Sequence, residues 1–228
     1  MMQYIIMLAT MLLVGCATAP TFPTYVDSTI VPHYDVPPHT LYRIDDNRYL
    51  SLENYNQYCF GDNYYIDKRQ NIKTDLGRGG IVNYSGRLII DDPTGMNVVI
   101  PTAPGGACGD RNCNAALLYS TDGGKTFHGT VYMNSHNPPK ASEDYTIAVT
   151  KDAFYVAKKI SATNGSIVVA RYPLVPGFVY GSSQKLPGEN HIEFDAKMPA
   201  NLRTPSGQEN FSSCDATTPP TNIPNLVK

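Results

Sequence analysis

The sequence predicts an all-β chain built of antiparallel meanders, on three observations. Turn formers are dense, with Gly and Pro at 18 each in 228 residues. No amphipathic pattern of period 3.6 is sustained, whereas short runs of alternating polar and apolar residues recur. The runs are joined by two-residue turns, the spacing of hairpins rather than of parallel strands linked by helices.

The first hairpin is "TLYRIDDNRYLSLE", two alternating runs around Asp46-Asn47. A second, "GIVNYSGRLIIDD", pivots on Ser85-Gly86, and a third, "YTIAVTKDAFYVAKK", on Lys151-Asp152. The run "SIVVARYPL" follows the turn Thr163-Asn164-Gly165. "YTIAVTKDAFYVAK" resembles the middle strands of a propeller blade, so the expected architecture is a small or incomplete β-propeller, with a β-sandwich as the alternative.

The N-terminus reads as an export signal. An apolar run from Tyr4 to Val14 is too short to span a bilayer, which needs about 20 residues, and it ends in Leu13-Val14-Gly15-Cys16. Those four residues resemble a lipobox, the recognition site of lipoprotein signal peptidase, which makes Cys16 the lipidated residue. Ala17 rather than Asp follows it, and lipobox sorting habits then imply the outer membrane. No Lys or Arg precedes the apolar run, a departure from the usual basic leader. The expected organisation is a signal peptide over 1–15, a lipidated Cys and Pro-rich tether over 16–38, an all-β domain over 39–215, and a Pro-rich tail over 216–228. Acyl chains anchor by burying methylenes at about 0.8 kcal/mol each.

Charge excludes one class of partner. Lys+Arg number 18 against 20 Asp+Glu, a formal charge of −2 with no long run of either sign, so the electrostatic footprint of nucleic-acid binding is absent. With Cys16 set aside, Cys59, Cys108, Cys113 and Cys214 remain, an even number suited to disulfides in an oxidising compartment. Four cysteines permit three pairings. The loop "CGDRNC" is short enough to close on itself, favouring Cys108 with Cys113 and leaving Cys59 for Cys214. A zinc site would need further ligands at ordered spacing, and no CxxC pair is present; no metal or cofactor is expected.

The stretch "LLYSTDGGKTF" carries Ser120-x-Asp122-x-Gly124-x-Thr126-Phe127. It resembles the Asp-box, the hairpin of sialidases and many other propeller proteins, with Phe127 where Trp is commoner. Ser120 and Asp122 can bond nearby amides, Gly124 supplies a positive φ, and Thr126 and Phe127 re-enter a strand with the ring turned to the core. In the families that carry it, this box lies away from the catalytic residues.

No catalytic constellation emerges. A sialidase would need an arginine cluster, a Tyr–Glu nucleophile pair and an acid Asp, and the arginines are scattered singly. Asp45-Asp46 and Asp91-Asp92 sit at turns, and adjacent strand residues point to opposite faces. His33, His39, His128, His136 and His191 form no HExxH or H-x-H pair, and G-x-S-x-G is absent. "LGRGG", Leu76 to Gly80, lacks the Lys-Ser/Thr of a phosphate loop. The sequons at Asn164 and Asn210 carry no weight in a bacterial lipoprotein. Tyrosine numbers 16, and "NYNQYCFGDNYY" gathers Tyr55, Tyr58, Phe60, Tyr64 and Tyr65 around Cys59. Alternation sends half of them to the core and leaves the rest for recognition.

Taken together, the lipobox, the β domain, the Asp-box after a "CGDRNC" loop and the lack of catalytic residues resemble one family. The chain is similar to the periplasmic lipoprotein immunity proteins that neutralise type VI secretion phospholipase effectors, the group paired with the third lipase-effector class. The likeness covers most of the chain after Cys16 and is strongest from about Arg78 to Lys159. It implies a non-enzymatic protein that binds a cognate lipase toxin in the periplasm. The loops Gly61 to Tyr65 and Gly77 to Gly80 are nominated as contact surfaces, with Asp62, Tyr64, Tyr65 and Arg78 as candidate binding residues. A carbohydrate- or peptidoglycan-binding lipoprotein, favoured by an exposed aromatic platform, is the alternative, with the absence of Trp against it. A degenerate glycosidase, which needs two carboxylates at working separation, is a third.

Overall fold

In the computed structural model, which describes residues 33–106, 108, 111–160, 165–214 and 219–222, strands gather into three sheets and none closes into a barrel. Cys16, the signal-peptide residues, Asn164 and most of the proposed C-terminal tail lie outside the described residues.

The first sheet is a simple meander: β1 (His39–Arg43), β2 (Arg48–Glu53), β3 (Asp62–Asp67) and β4 (Ile72–Arg78), each antiparallel to the next. The expected hairpin around Asp46-Asn47 joins β1 to β2. Asp45 sets that turn, its carboxylate accepting from the amides of Asn47 and Arg48 and from Arg48 Nε at 2.7–2.8 Å. Asp67 does the same for the next hairpin, accepting from the amides of Arg69 and Gln70 and from Gln70 Nε2.

The second hairpin expected from the sequence does not form. Residues around Ser85-Gly86 do not fold back on themselves; Ile81 and Tyr84 are buried as core plugs, and β5 (Arg87–Ile90) leaves for another sheet. Gly86 explains why, because a Cβ there would lie 2.4 Å from the carbonyl oxygens of Ser142 and Tyr145. The segment is wedged against a distant backbone rather than turning on its own. β5 pairs in parallel with β9 (Tyr145–Val149), Arg87 opposite Thr146 through Ile90 opposite Val149. A parallel pair needs a long crossover. Here the crossover is a whole meander, β6 (Val98–Pro101), β7 (Cys113–Ser120) and β8 (His128–Ser135), followed by the one-turn helix α1 (Pro138–Ser142). The β9 sheet continues through β10 (Ala153–Lys159), β11 (Ile167–Pro173) and β12 (Glu193–Phe194), with β9 and β10 in its interior.

One core joins the three sheets. Leu41, Tyr42, Leu50, Leu52 and Tyr65 come from the first, Val98, Ile100, Leu117 and Tyr119 from the second, and Leu88, Ile147 and Phe154 from the third. In a chain without Trp, Tyr supplies the large rings, and most buried hydroxyls find a partner. Tyr132 donates to Thr102 O at 2.9 Å, Tyr180 to Pro173 O at 2.6 Å, and Tyr119 accepts from the amide of Tyr180 at 2.7 Å.

Residues 203–214 form a strap without regular structure, laid across β1 and β5. The Tyr42 hydroxyl lies 2.7–2.8 Å from Leu88 O, Gln208 O and Thr204 Oγ1, while Thr204 also accepts from the amide of Ile90. Phe211 packs against the rings of Tyr42 and Tyr84. Cys59 is bonded to Cys214, which pins the strap, and Cys108 is bonded to Cys113. Further along, Asn222 Nδ2 donates to His33 O and the amide of Thr221 to Asp35 Oδ1, so residues from the regions assigned to tether and tail meet each other.

The "STDGGKTF" turn links β7 to β8. Ser120 donates to Asp122 Oδ1 at 2.7 Å and accepts from the amide of Gly124. Asp122 accepts in turn from the amides of Lys125 and Thr126 and from the Thr126 hydroxyl. Gly124 has φ of 86°, and a Cβ on it would fall 2.1 Å from the Tyr65 ring, so both conformation and space require glycine. Phe127 meets Tyr65 edge-on with centroids 5.7 Å apart.

Two outcomes are expected. Burial pushes the Asp122 carboxyl up, but hydrogen bonds from Thr126, Ser120 and Lys125 more than offset this and hold it below its ordinary value. A depressed native value means the contribution is complete above the unfolded value of about 4 and is lost as pH falls through the native one. Asp122→Asn should therefore lower the melting temperature at neutral pH and flatten its fall with acid below about pH 4. Replacing Cys59 and Cys214 together by Ala should cost about 5 kcal/mol in urea unfolding, against about 2 kcal/mol for Cys108 and Cys113, because the first bond closes a loop with a separation of 155 residues and the second one of 5.

Candidate functional site

The loop between β2 and β3 is short and internally bonded. The side-chain oxygen of Asn56 accepts from the amides of Tyr58 and Phe60, and Asn56 O accepts from the amide of Cys59. Cys59 takes a φ of 60° and is fixed from outside by its bond to Cys214. Gly61 closes the loop where a Cβ would lie 2.4 Å from Tyr55 Cβ and 2.6 Å from Glu53 O. Tyr55 turns inward, whereas Tyr58 is 79 % and Phe60 51 % exposed. Two large rings in solvent on a tightly held loop are unusual for a feature that only connects strands.

The end of β4 completes the site. Asp62 and Arg78 face each other in the β3–β4 register, and Arg78 Nη1 donates to Asp62 Oδ1 at 2.7 Å. The same guanidinium lies over the Phe60 ring, Cζ 5.3 Å from its centroid. Asn54 Nδ2 holds the other Asp62 oxygen at 2.9 Å. Beside this group runs an open groove of about 400 Å³ between the first two sheets, lined by Phe60, Arg78, Gly79, Gly80, Asn83 and Asn114 among others. Gly79 and Gly80 have φ of 71° and 77°, which turns the chain sharply and leaves one wall as bare backbone. Asn114 Oδ1 is taken by Asn134 Nδ2 at 2.7 Å.

The four candidate binding residues divide. Asp62 and Arg78 stand together at the groove. Tyr64 is half-buried on the outward face of the sheet, with Lys73 Nζ 4.2 Å from its ring centroid. Tyr65 is a correction: its exposure is 0 %, it points inward beneath the β7–β8 turn, and it belongs to the core. Asn83 and Asn114 were not singled out in the sequence, since nothing local marks two asparagines that meet only across a groove between sheets.

Of the four carboxylates weighed for catalysis, Asp46 is exposed at its turn and the other three have structural work. Asp45 caps its turn, Asp92 accepts from the amides of Thr94 and Asn97 and from the Thr94 hydroxyl, and Asp91 accepts from the amide of Arg203. The histidines are spread over separate elements, His39 in β1, His128 in β8 and the others in connecting segments. Among the described residues, no group of three or more His, Cys, Asp or Glu side chains is placed to hold a metal ion.

Residues 34–158 match the family model of the T6SS Tli3 immunity protein. The chain belongs to this family. The match takes in the first sheet, the groove and the β7–β8 turn, beginning well before Arg78. The Tli3 family is one of type VI secretion immunity proteins, which implies binding of a cognate effector toxin. Cys214 and the strap lie outside the matched span. No curated protein matches the chain.

The loop's frame and its ion pair should respond differently to mutation. Gly61→Ala forces backbone apart and should cost about 3 kcal/mol in thermal unfolding, whereas Asp62→Asn should cost less than about 1 kcal/mol, since the pair is partly solvated.

Proposed function

We propose that the protein binds a type VI secretion phospholipase toxin in the periplasm and neutralises it by stoichiometric inhibition, held at the outer membrane through lipidated Cys16. The observation that carries the reading is the pair of solvent-facing rings, Tyr58 and Phe60, on a loop fixed by the Cys59–Cys214 bond within the family-matched region.

Inhibition of this kind needs complementarity rather than chemistry. Aromatic and arginine side chains dominate the energetics of interfaces when they are already ordered before contact. Phe60 and Arg78 meet that condition, because the loop bonds and Asp62 hold them in place. The groove beside them offers a concave seat for a protruding loop of the toxin, and its glycine wall lets a partner backbone approach closely. Occupation there blocks the toxin's active site or its approach to lipid. Nanomolar binding corresponds to about −12 kcal/mol over an interface of roughly 1,600 Å². A lipid tether raises the local concentration at the membrane under attack.

A second reading, a carbohydrate- or peptidoglycan-binding lipoprotein, draws support from the same half-exposed Phe60 beside Asn83 and Asn114. Aromatic faces and carboxamides are the groups that hold sugar rings.

The Cys16→Ser protein, purified from periplasm, should co-elute with a type VI secretion phospholipase of the third lipase-effector class and abolish its phospholipase activity at one equivalent. Phe60→Ala and Arg78→Ala should each weaken that complex by about tenfold or more. Absence of a complex at micromolar protein, together with retention on peptidoglycan, would favour the second reading. In cell fractionation, the unmodified chain should sediment with outer membranes and the Cys16→Ser variant should not.

A further inference from the structure

We infer that the outward face of the first sheet carries an anion-recognition spot centred on Tyr49, whose occupant is a carboxylate-bearing surface of the toxin. The inference rests on the toxin-binding reading above and adds a contact of different chemistry from the Phe60 groove.

The spot is assembled by strand register. Arg43 stands opposite Tyr49 across β1 and β2, and Tyr49 opposite Ile66 across β2 and β3; Lys68, two residues beyond Ile66, falls on the same face. Arg43 Cζ lies 5.6 Å and Lys68 Nζ 5.2 Å from the centroid of the one Tyr49 ring. Two cations therefore share a single aromatic platform, and both side chains are exposed.

The other stacked cations of this sheet are neutralised. Lys73, over Tyr64, pairs with Glu53 at 2.7 Å, and Arg78, over Phe60, pairs with Asp62 at 2.7 Å. Neither the Arg43 nor the Lys68 side chain has an ion pair or side-chain hydrogen bond among the described residues. The turns on either side do not supply one: Asp45 and Asp67 are committed to their own backbone and to Arg48 and Gln70, and the exposed Asp46 makes no ion pair.

Neither charge is neutralised, so an anionic group approaching this face gains from both. The planar arginine fork suits a carboxylate, which can take charge-assisted hydrogen bonds from it, and the nearby ammonium adds to the local positive potential. The ring limits the freedom of the two long side chains, so less entropy is lost when the acid arrives. Because both cations are exposed, their main effect falls on the rate of encounter and on its sensitivity to salt.

The test measures association kinetics by surface plasmon resonance, with the type VI secretion phospholipase of the proposed function as the probe and the Cys16→Ser protein as reference. At low ionic strength, Arg43→Ala and Lys68→Ala should each slow association by about fivefold, and Arg43→Glu with Lys68→Glu by far more; the differences should shrink as salt is raised. Lys185→Ala, which removes the same charge from an exposed loop between β11 and β12, should leave the rate unchanged, and melting temperatures should confirm that every variant is folded. If the reference protein binds the toxin and the Arg43 and Lys68 variants bind it equally fast, the inference is overturned while the toxin-binding reading stands. If the reference protein does not bind, that reading fails and the inference falls with it. If the variants keep normal toxin association but lose binding to phosphatidylglycerol vesicles, the occupant is a lipid headgroup and the inference is likewise overturned.

Discussion

The buried hydroxyl of Tyr42 is the constraint on which the rest of the structure depends. A phenol deep in a β core costs free energy unless it is bonded, and its partners lie on two distant parts of the chain: Leu88 within β5, and Thr204 and Gln208 on the strap. Burial pushes its titration well above that of an ordinary tyrosine, so it serves as a neutral donor and acceptor throughout the working pH range. By requiring those partners, Tyr42 fixes where the first sheet meets the third and where the strap must lie. The strap then delivers Cys214 to Cys59, and that bond holds the loop carrying Tyr58 and Phe60. Surface and core are thus connected by a short series of named contacts.

What was legible in the sequence was whatever the chain settles locally. The hairpins at Asp46-Asn47 and Lys151-Asp152 and the "STDGGKTF" turn each contain their own turn residues and both partner strands, so alternation and spacing suffice. The parallel pairing of β5 with β9 was not legible, because a complete meander separates the two strands and only Gly86, wedged against Ser142 and Tyr145, marks the junction. The strap was legible only at its end, where the pairing of Cys214 with Cys59 was expected, and its path was not, for a related reason. It has no periodicity, and it is held by side chains such as Thr204 and Gln208 whose partners lie far away in sequence.

Tyr65 shows how a pattern can mislead even within a single strand. The inward face of β3 reads Asn63, Tyr65, Asp67, and both polar neighbours are buried because Asn63 bonds Gly77 O and Asp67 caps its turn. The usual apolar stripe is therefore missing, and two adjacent tyrosines give no sign of which one faces the core. The candidate groove was half legible for the same physical reason. Asp62 and Arg78 fall on one hairpin, but Asn83 and Asn114 reach the site from segments that meet only after the sheets have packed.

The bond between Cys59 and Cys214 also governs timing. The first sheet contains its own turns and can begin to order early, yet its Tyr42 contacts wait for residue 208 and the stapling of its aromatic loop for residue 214. Pairings this distant in sequence are slow to find, because loop closure precedes any stabilising contact. The staple that holds the outer loop therefore forms after the first sheet has begun to order, and only where thiols are oxidised.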